Sequence, residues 1–129
     1  MINLLVLKET NYSEKRVALV PDEIKKYSDL GFKVTIEKDA GTEAGFLNED
    51  YKKHNSNISQ NVKKSIKESD IIVKIQKPEP GIIKEMKTGT ILMGLLSPKK
   101  GSSENVLYNK KKISAFALEN IPRITRAQD

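Results

Sequence analysis

A chain of 129 residues with no cysteine and one histidine excludes disulfides, thiolate metal sites and cysteine nucleophiles, and it leaves His54 in a polar stretch with no second ligand nearby. With 37% hydrophobic and 31% charged residues it has the make-up of one soluble globular domain, and no apolar run approaches the roughly 20 residues that cross a bilayer. The formal charge of +6 comes mostly from lysines scattered beside acids; with aromatics at 5%, this predicts a solvated surface and no nucleic-acid partner.

Met1 leads directly into Ile2–Leu7, a continuous apolar run that reads as a strand buried on both faces. No charged leader or small-residue cleavage site precedes it, which predicts a cytoplasmic protein or one whose targeting segment is absent. Pro21–Leu30 reads as a helix: a first-turn proline, acids behind it, Ile24, Tyr27 and Leu30 on one face, and Gly31 beyond the end. Phe32–Glu37 alternates as a half-buried strand. Gly41–Phe46 is a loop, and Asn48–Tyr51 a short helix capped at its start. Ile58, Val62 and Ile66 at four-residue spacing predict a helix over 57–68. Asp70–Ile75 is the next strand, Pro78 and Pro80 interrupt the chain, and 81–87 is a helical turn. Thr90–Leu96 is a buried strand, Ser103–Lys111 a helix and Ile113–Ala117 the last strand. This alternation predicts an α/β fold: a flavodoxin- or Rossmann-like layer sandwich with a mostly parallel sheet of about five strands and flanking helices.

Ligands of such folds sit at the carboxyl ends of the strands, so the loops there carry the candidate residues. Arg16, at the far end of the first such loop, suits a two-pronged grip on a carboxylate or phosphate, or equally a tie between the loop and the sheet edge. Lys74 and Gln76 end a strand on the same rim. In an unbroken strand they share one side, opposite Ile75, where either reaches a ligand or simply meets solvent. Gly41-Thr42-Glu43-Ala44-Gly45 follows a strand but lacks both the third glycine of a dinucleotide fingerprint and the Lys-Ser/Thr of a P-loop; it reads as a turn with positive φ at one or both glycines. Ser97 has no base to make it a nucleophile, so no catalytic residue and no metal ligand is assigned. Glu119–Arg123 leaves the last strand toward the same rim and carries Arg123, Arg126 and Gln128 with it. Glutamine offers a donor and an acceptor to a primary amide, and arginine a permanent charge, so these three suit a nicotinamide carboxamide better than acid–base chemistry. The closing Pro122–Asp129 reads as an opening site, the front of something larger.

Arg16-Val17-Ala18-Leu19-Val20-Pro21, Gly31-Phe32-Lys33-Val34, Glu37-Lys38-Asp39-Ala40-Gly41, Ala44-Gly45-Phe46 and Phe116 through Gln128 resemble, in register, the start of domain I of the proton-translocating nicotinamide nucleotide transhydrogenase alpha subunit. Alanine dehydrogenases share the first motifs, but Pro122-Arg123-Ile124-Thr125-Arg126-Ala127-Gln128 resembles the transhydrogenase branch alone. That branch also differs where alanine dehydrogenases carry a pyruvate-binding lysine, here Gln76, and a histidine, here Ser97.

The resemblance implies residues 1–121 as an alanine dehydrogenase/transhydrogenase N-terminal subdomain and 122–129 as the start of a hinge to a missing NAD-binding subdomain. It implies hydride transfer between NADH and NADP coupled to proton translocation. NAD(H) would lie against Arg123 and Gln128, with Arg126 beside them, and NADP(H) on a partner domain. The partners implied are other transhydrogenase domains or subunits, a membrane portion among them, and a second copy in a homodimer. The location implied is cytoplasmic, at the inner membrane through those partners, and this chain alone is expected to be inactive. The alternatives are an alanine dehydrogenase N-terminal domain and a non-catalytic binding module.

Overall fold

The computed structural model describes residues 2–10, 14–54, 56–95 and 103–117. The chain begins with β1 (Ile2–Val6), crosses through α1 (Pro21–Asp29) to β2 (Phe32–Glu37), and turns through a 3-10 segment at Thr42–Ala44 into α2 (Asn48–Lys52). It continues as β3 (Asn57–Ser59), α3 (Val62–Glu68), β4 (Ile71–Gln76), α4 (Pro80–Glu85), β5 (Ile91–Leu95), α5 (Ser103–Lys110) and β6 (Ser114–Ala117). All the strands are parallel and lie in the order β3-β2-β1-β4-β5-β6. The chain winds outward from β1 in one direction, then returns to start β4 on its other side. That reversal opens a crevice beyond the carboxyl ends of β1 and β4, the switch point where doubly wound sheets bind ligands.

The apolar strands predicted from their continuous runs bury both faces of the sheet. Leu4 and Val6 join Val34, Ile36, Ile24 and Tyr51 on the side of α1 and α2, while Leu5 and Leu7 join Ile72, Ile66, Ile83 and Leu92 on the other. Helix α1 starts at Pro21, as its sequence predicts, with the Glu23 carboxylate accepting the Val20 N–H at 3.1 Å. Ile24 is fully buried beneath it, and Tyr27 packs edge-on against Phe32. Leu30 is an exception to the predicted face: it is the helix C-cap and 74% exposed.

Two further expectations are corrected. The helix expected over 57–68 begins only at Val62, where the Asn61 side chain accepts the Lys64 N–H at 3.2 Å. Residues 57–59 instead pair with Thr35–Glu37 as a sixth strand at the sheet edge. Ile58 fits either period, and the backbone pairing decides. The start of α2 is not capped by Asn48 either. Its first turn is closed by Asp50, which accepts the Leu47 N–H at 2.7 Å, while Asn48 bonds Asp39 and its amide. The Gly41–Gly45 segment is the predicted turn, with φ +91 at Gly45. Gly41 is required for a different reason: a Cβ there would lie 2.6 Å from the buried Tyr51 hydroxyl. Tyr51 packs directly against this turn and donates to the Leu19 carbonyl at 2.9 Å. Burial raises its phenol pKa well above the usual range.

Candidate functional site

Beyond the carboxyl ends of β1 and β4, five polar side chains from two stretches of chain come together. Glu9 and Glu14 follow β1 directly, Arg16 stands two residues on, and Lys74 and Gln76 end β4. A lysine inside the apolar run Ile71–Ile75 cannot stay charged and buried without a carboxylate. Glu9 supplies it: Lys74 Nζ lies 3.1 Å from Glu9 Oε1, and the two side chains are 2% and 3% exposed. The same carboxylate accepts the Ile75 N–H at 2.7 Å and the Gln76 N–H at 3.0 Å. The Ile75 N–H faces the side of β1, as Val73 does, and the bulge of β4 leaves the Gln76 N–H within reach of the same carboxylate: Val73 pairs with Met93 and Gln76 with Leu95, so Lys74 and Ile75 together face Gly94.

Beside this pair, Glu14 accepts three donors from Arg16: Nε at 2.8 Å, a terminal nitrogen at 2.9 Å and the backbone N–H at 3.1 Å. The Gln76 side-chain amide donates to the same carboxylate at 2.7 Å, joining the loop after β1 to the end of β4. Glu14 is buried and Arg16 is 61% exposed. The Arg16 guanidinium, aided by Gln76, holds the Glu14 carboxyl down at about 2, and Glu14 in turn raises Arg16. On the neighbouring strand Glu37 accepts the Lys8 N–H at 2.8 Å, and burial pushes its carboxyl up. The cluster therefore carries two carboxylates matched by two cations at Glu9–Lys74 and Glu14–Arg16. Of these groups, the Arg16 side chain is the one most open to solvent, at 61% exposure.

The family described as alanine dehydrogenase/PNT, N-terminal domain, matches residues 5–129. The chain belongs to that family. Among its curated relatives, the first of the separate pieces of the NAD(P) transhydrogenase alpha subunit of Rickettsia prowazekii is 36% identical, over 99% of this chain and 34% of its own length. The solved transhydrogenase from Sinorhizobium meliloti superposes with a TM-score of 0.84 at 28% identity, covering 98% of this chain and 37% of that one. An L-alanine dehydrogenase structure superposes with a TM-score of 0.83 at 25% identity, covering 92% of this chain and 32% of that one. The chain thus spans about a third of the length of the curated relatives it matches.

Of the family domain's predicted rim residues, the structure brings Arg16 and Gln76 together through Glu14. The tie between loop and sheet foreseen for Arg16 is therefore present, one residue removed. Lys74 is corrected: it neither meets solvent nor reaches out to a ligand, because the bulge and Glu9 hold it inside. Arg123, Arg126, Gln128 and Ser97 lie outside the described residues. His54 is partly exposed, 3.8 Å from Asp22. Among the described residues no group of three potential ligands could hold a metal, and no helix is long and apolar enough to cross a membrane. Sequence reasoning missed Glu9 and Glu14. The signal was available: a charged residue in an otherwise apolar strand calls for an acid, and the loop after β1 holds two.

Proposed function

We propose that this chain is the N-terminal part of the NAD(H)-binding domain of an NAD(P) transhydrogenase alpha subunit, and that its residues wall one side of the nicotinamide cleft. The observation that carries this reading is the charge-balanced rim at the switch point. Arg16 and Lys74 are each held by a carboxylate of the chain, and Gln76 between them is neutral. A keto acid or amino acid substrate needs an uncommitted cation for its carboxylate, and a hydride transfer between two nicotinamides does not. The alignment with transhydrogenase subunits over nearly the whole chain supports the same branch.

The bound dinucleotide would supply the hydride chemistry. Arg123 and Gln128 would hold its carboxamide, Gln128 through paired donor and acceptor and Arg123 through its permanent charge, with Arg126 beside them. No side chain of this chain is asked to take or give a proton. We assign the rim to the nicotinamide end, a reading supported by the Gly41 turn, which lacks the motif of a phosphate loop and is packed against Tyr51. The phosphates would bind the remainder of the enzyme, across a hinge starting at 122–129. NADP(H) would occupy a partner domain, with a membrane portion and a second copy of the subunit completing the assembly at the cytoplasmic side of the inner membrane.

The test is a chimera in which this chain replaces the matching first third of the Rickettsia prowazekii subunit, combined with that enzyme's other components. Reduction of an NADP analogue by NADH, without alanine-dependent reduction of NAD, is the expected result. Alanine-dependent turnover would instead assign the chain to the dehydrogenase branch.

A further inference from the structure

The bulge in β4 does more than bury a lysine. A regular strand would pair residue 74 or 75 with Gly94 and leave the final amides to bond along the ladder. Here the Lys74 carbonyl turns toward β5 so closely that a Cβ on Gly94 would lie 2.0 Å from it, a distance no side chain can occupy. The Ile75 and Gln76 N–H groups turn away from β5 and are gripped by the two oxygens of Glu9. The extra residue changes the side on which Gln76 emerges, and its amide reaches Glu14 at 2.7 Å. Deep packing at Gly94, a buried carboxylate on a different loop, and the placement of Gln76 are thus parts of one arrangement.

We propose that Glu9, permitted by Gly94, is a positioning residue of the cleft wall: it pins the β4 bulge and so delivers the Gln76 amide to the Glu14–Arg16 pair. Its importance for nucleotide binding rests on the cleft reading above, but its geometric role does not.

Nuclear magnetic resonance on the isolated chain separates the two. In the native chain the Ile75 and Gln76 amides are expected to exchange slowly although no strand partner holds them, and the Gln76 side-chain and Arg16 Nε–H signals are expected to be sharp and shifted by their common carboxylate. Rapid exchange of those two amides in the native chain overturns the proposal before any variant is made. Glu9→Gln combined with Lys74→Met leaves no buried charge but removes the double acceptor, and Gly94→Ala attacks the bulge from the other side. Both are expected to return the Gln76 and Arg16 signals to free-side-chain positions while the Val34 and Ile36 amides keep their folded shifts. Lys74→Met alone, which leaves the Glu9 carboxylate buried without its cation, is expected to destabilise the chain more than the double variant does. Survival of the native Gln76 and Arg16 signals in the double variant contradicts the positioning role. In the chimera, the double variant and Gly94→Ala are expected to raise the Kd for NADH at least threefold. Unchanged Kd values beside displaced Gln76 signals would refute the cleft reading and leave the positioning role standing. A chimera that binds no NADH would do the same.

Discussion

Glu14 concentrates the electrostatics of the site. It is buried, accepts from Arg16 and Gln76, and titrates near 2 in place of the ordinary 4.5. A carboxyl held low in the fold contributes stability that is complete above its unfolded value and lost as pH falls from about 4.5 toward 2. Because Arg16 is largely in water, the contribution is discounted for screening, to about 1–2 kcal/mol. Glu14→Gln should therefore lower stability at neutral pH by that amount and flatten the acid limb of a denaturant-midpoint-against-pH curve; an unchanged limb would show that the pair is not formed. Glu37 works in the opposite sense. Its raised carboxyl opposes folding as pH rises above about 4.5, so Glu37→Gln should slightly stabilise the chain at neutral pH. At the buried turn, Gly41→Ala should cost about 1–3 kcal/mol, read as a denaturant midpoint, because the new methyl meets Tyr51.

At the scale of the elements, what could be read in the sequence and what could not divide along local and non-local physics. β1 and β4 are mostly apolar, broken by Asn3 and by Lys74, and α1 carries its own proline start and acid-rich first turn, so each announces itself within a few residues. β3 does not: three residues around Ile58 satisfy a helical period as well as a strand, and only the edge of β2 selects the strand. Asn61 marks where the helix starts, and Asn61→Ala should cost about 1 kcal/mol, measurable as a shift in denaturant midpoint. The site divides in the same way. Gln76 was visible as a polar residue at a strand end, and Arg16 as an arginine in the loop after β1. Lys74 was misplaced because its direction depends on a bulge, and the bulge depends on Gly94, twenty positions away in a different strand. Glu9 has one partner that leaves a mark in the sequence, the lysine inside β4, and two that leave none, the Ile75 and Gln76 backbone amides.

For the molecule as a whole, strand order turns a list of polar residues into a place. Because β1 and β4 are neighbours, the loop after each opens onto one crevice, and the rim there is polar yet charge-balanced. On the proposed reading this rim is one wall of a cleft, and the chain covers about a third of the length of its transhydrogenase relatives. The isolated chain should accordingly show no micromolar affinity for NADH in a fluorescence titration, since its glycine turn lacks the motif of a phosphate loop. The central claim is that its closing residues meet the nicotinamide, and it is tested most directly by NADH titration of the chimera with and without Arg123→Ala and Gln128→Ala. Losing a hydrogen bond from a charged or paired donor costs about 1.5–3 kcal/mol, so each substitution should weaken NADH binding about tenfold or more while the chimera stays folded. A folded chimera that binds NADH equally well with both residues replaced would contradict the account.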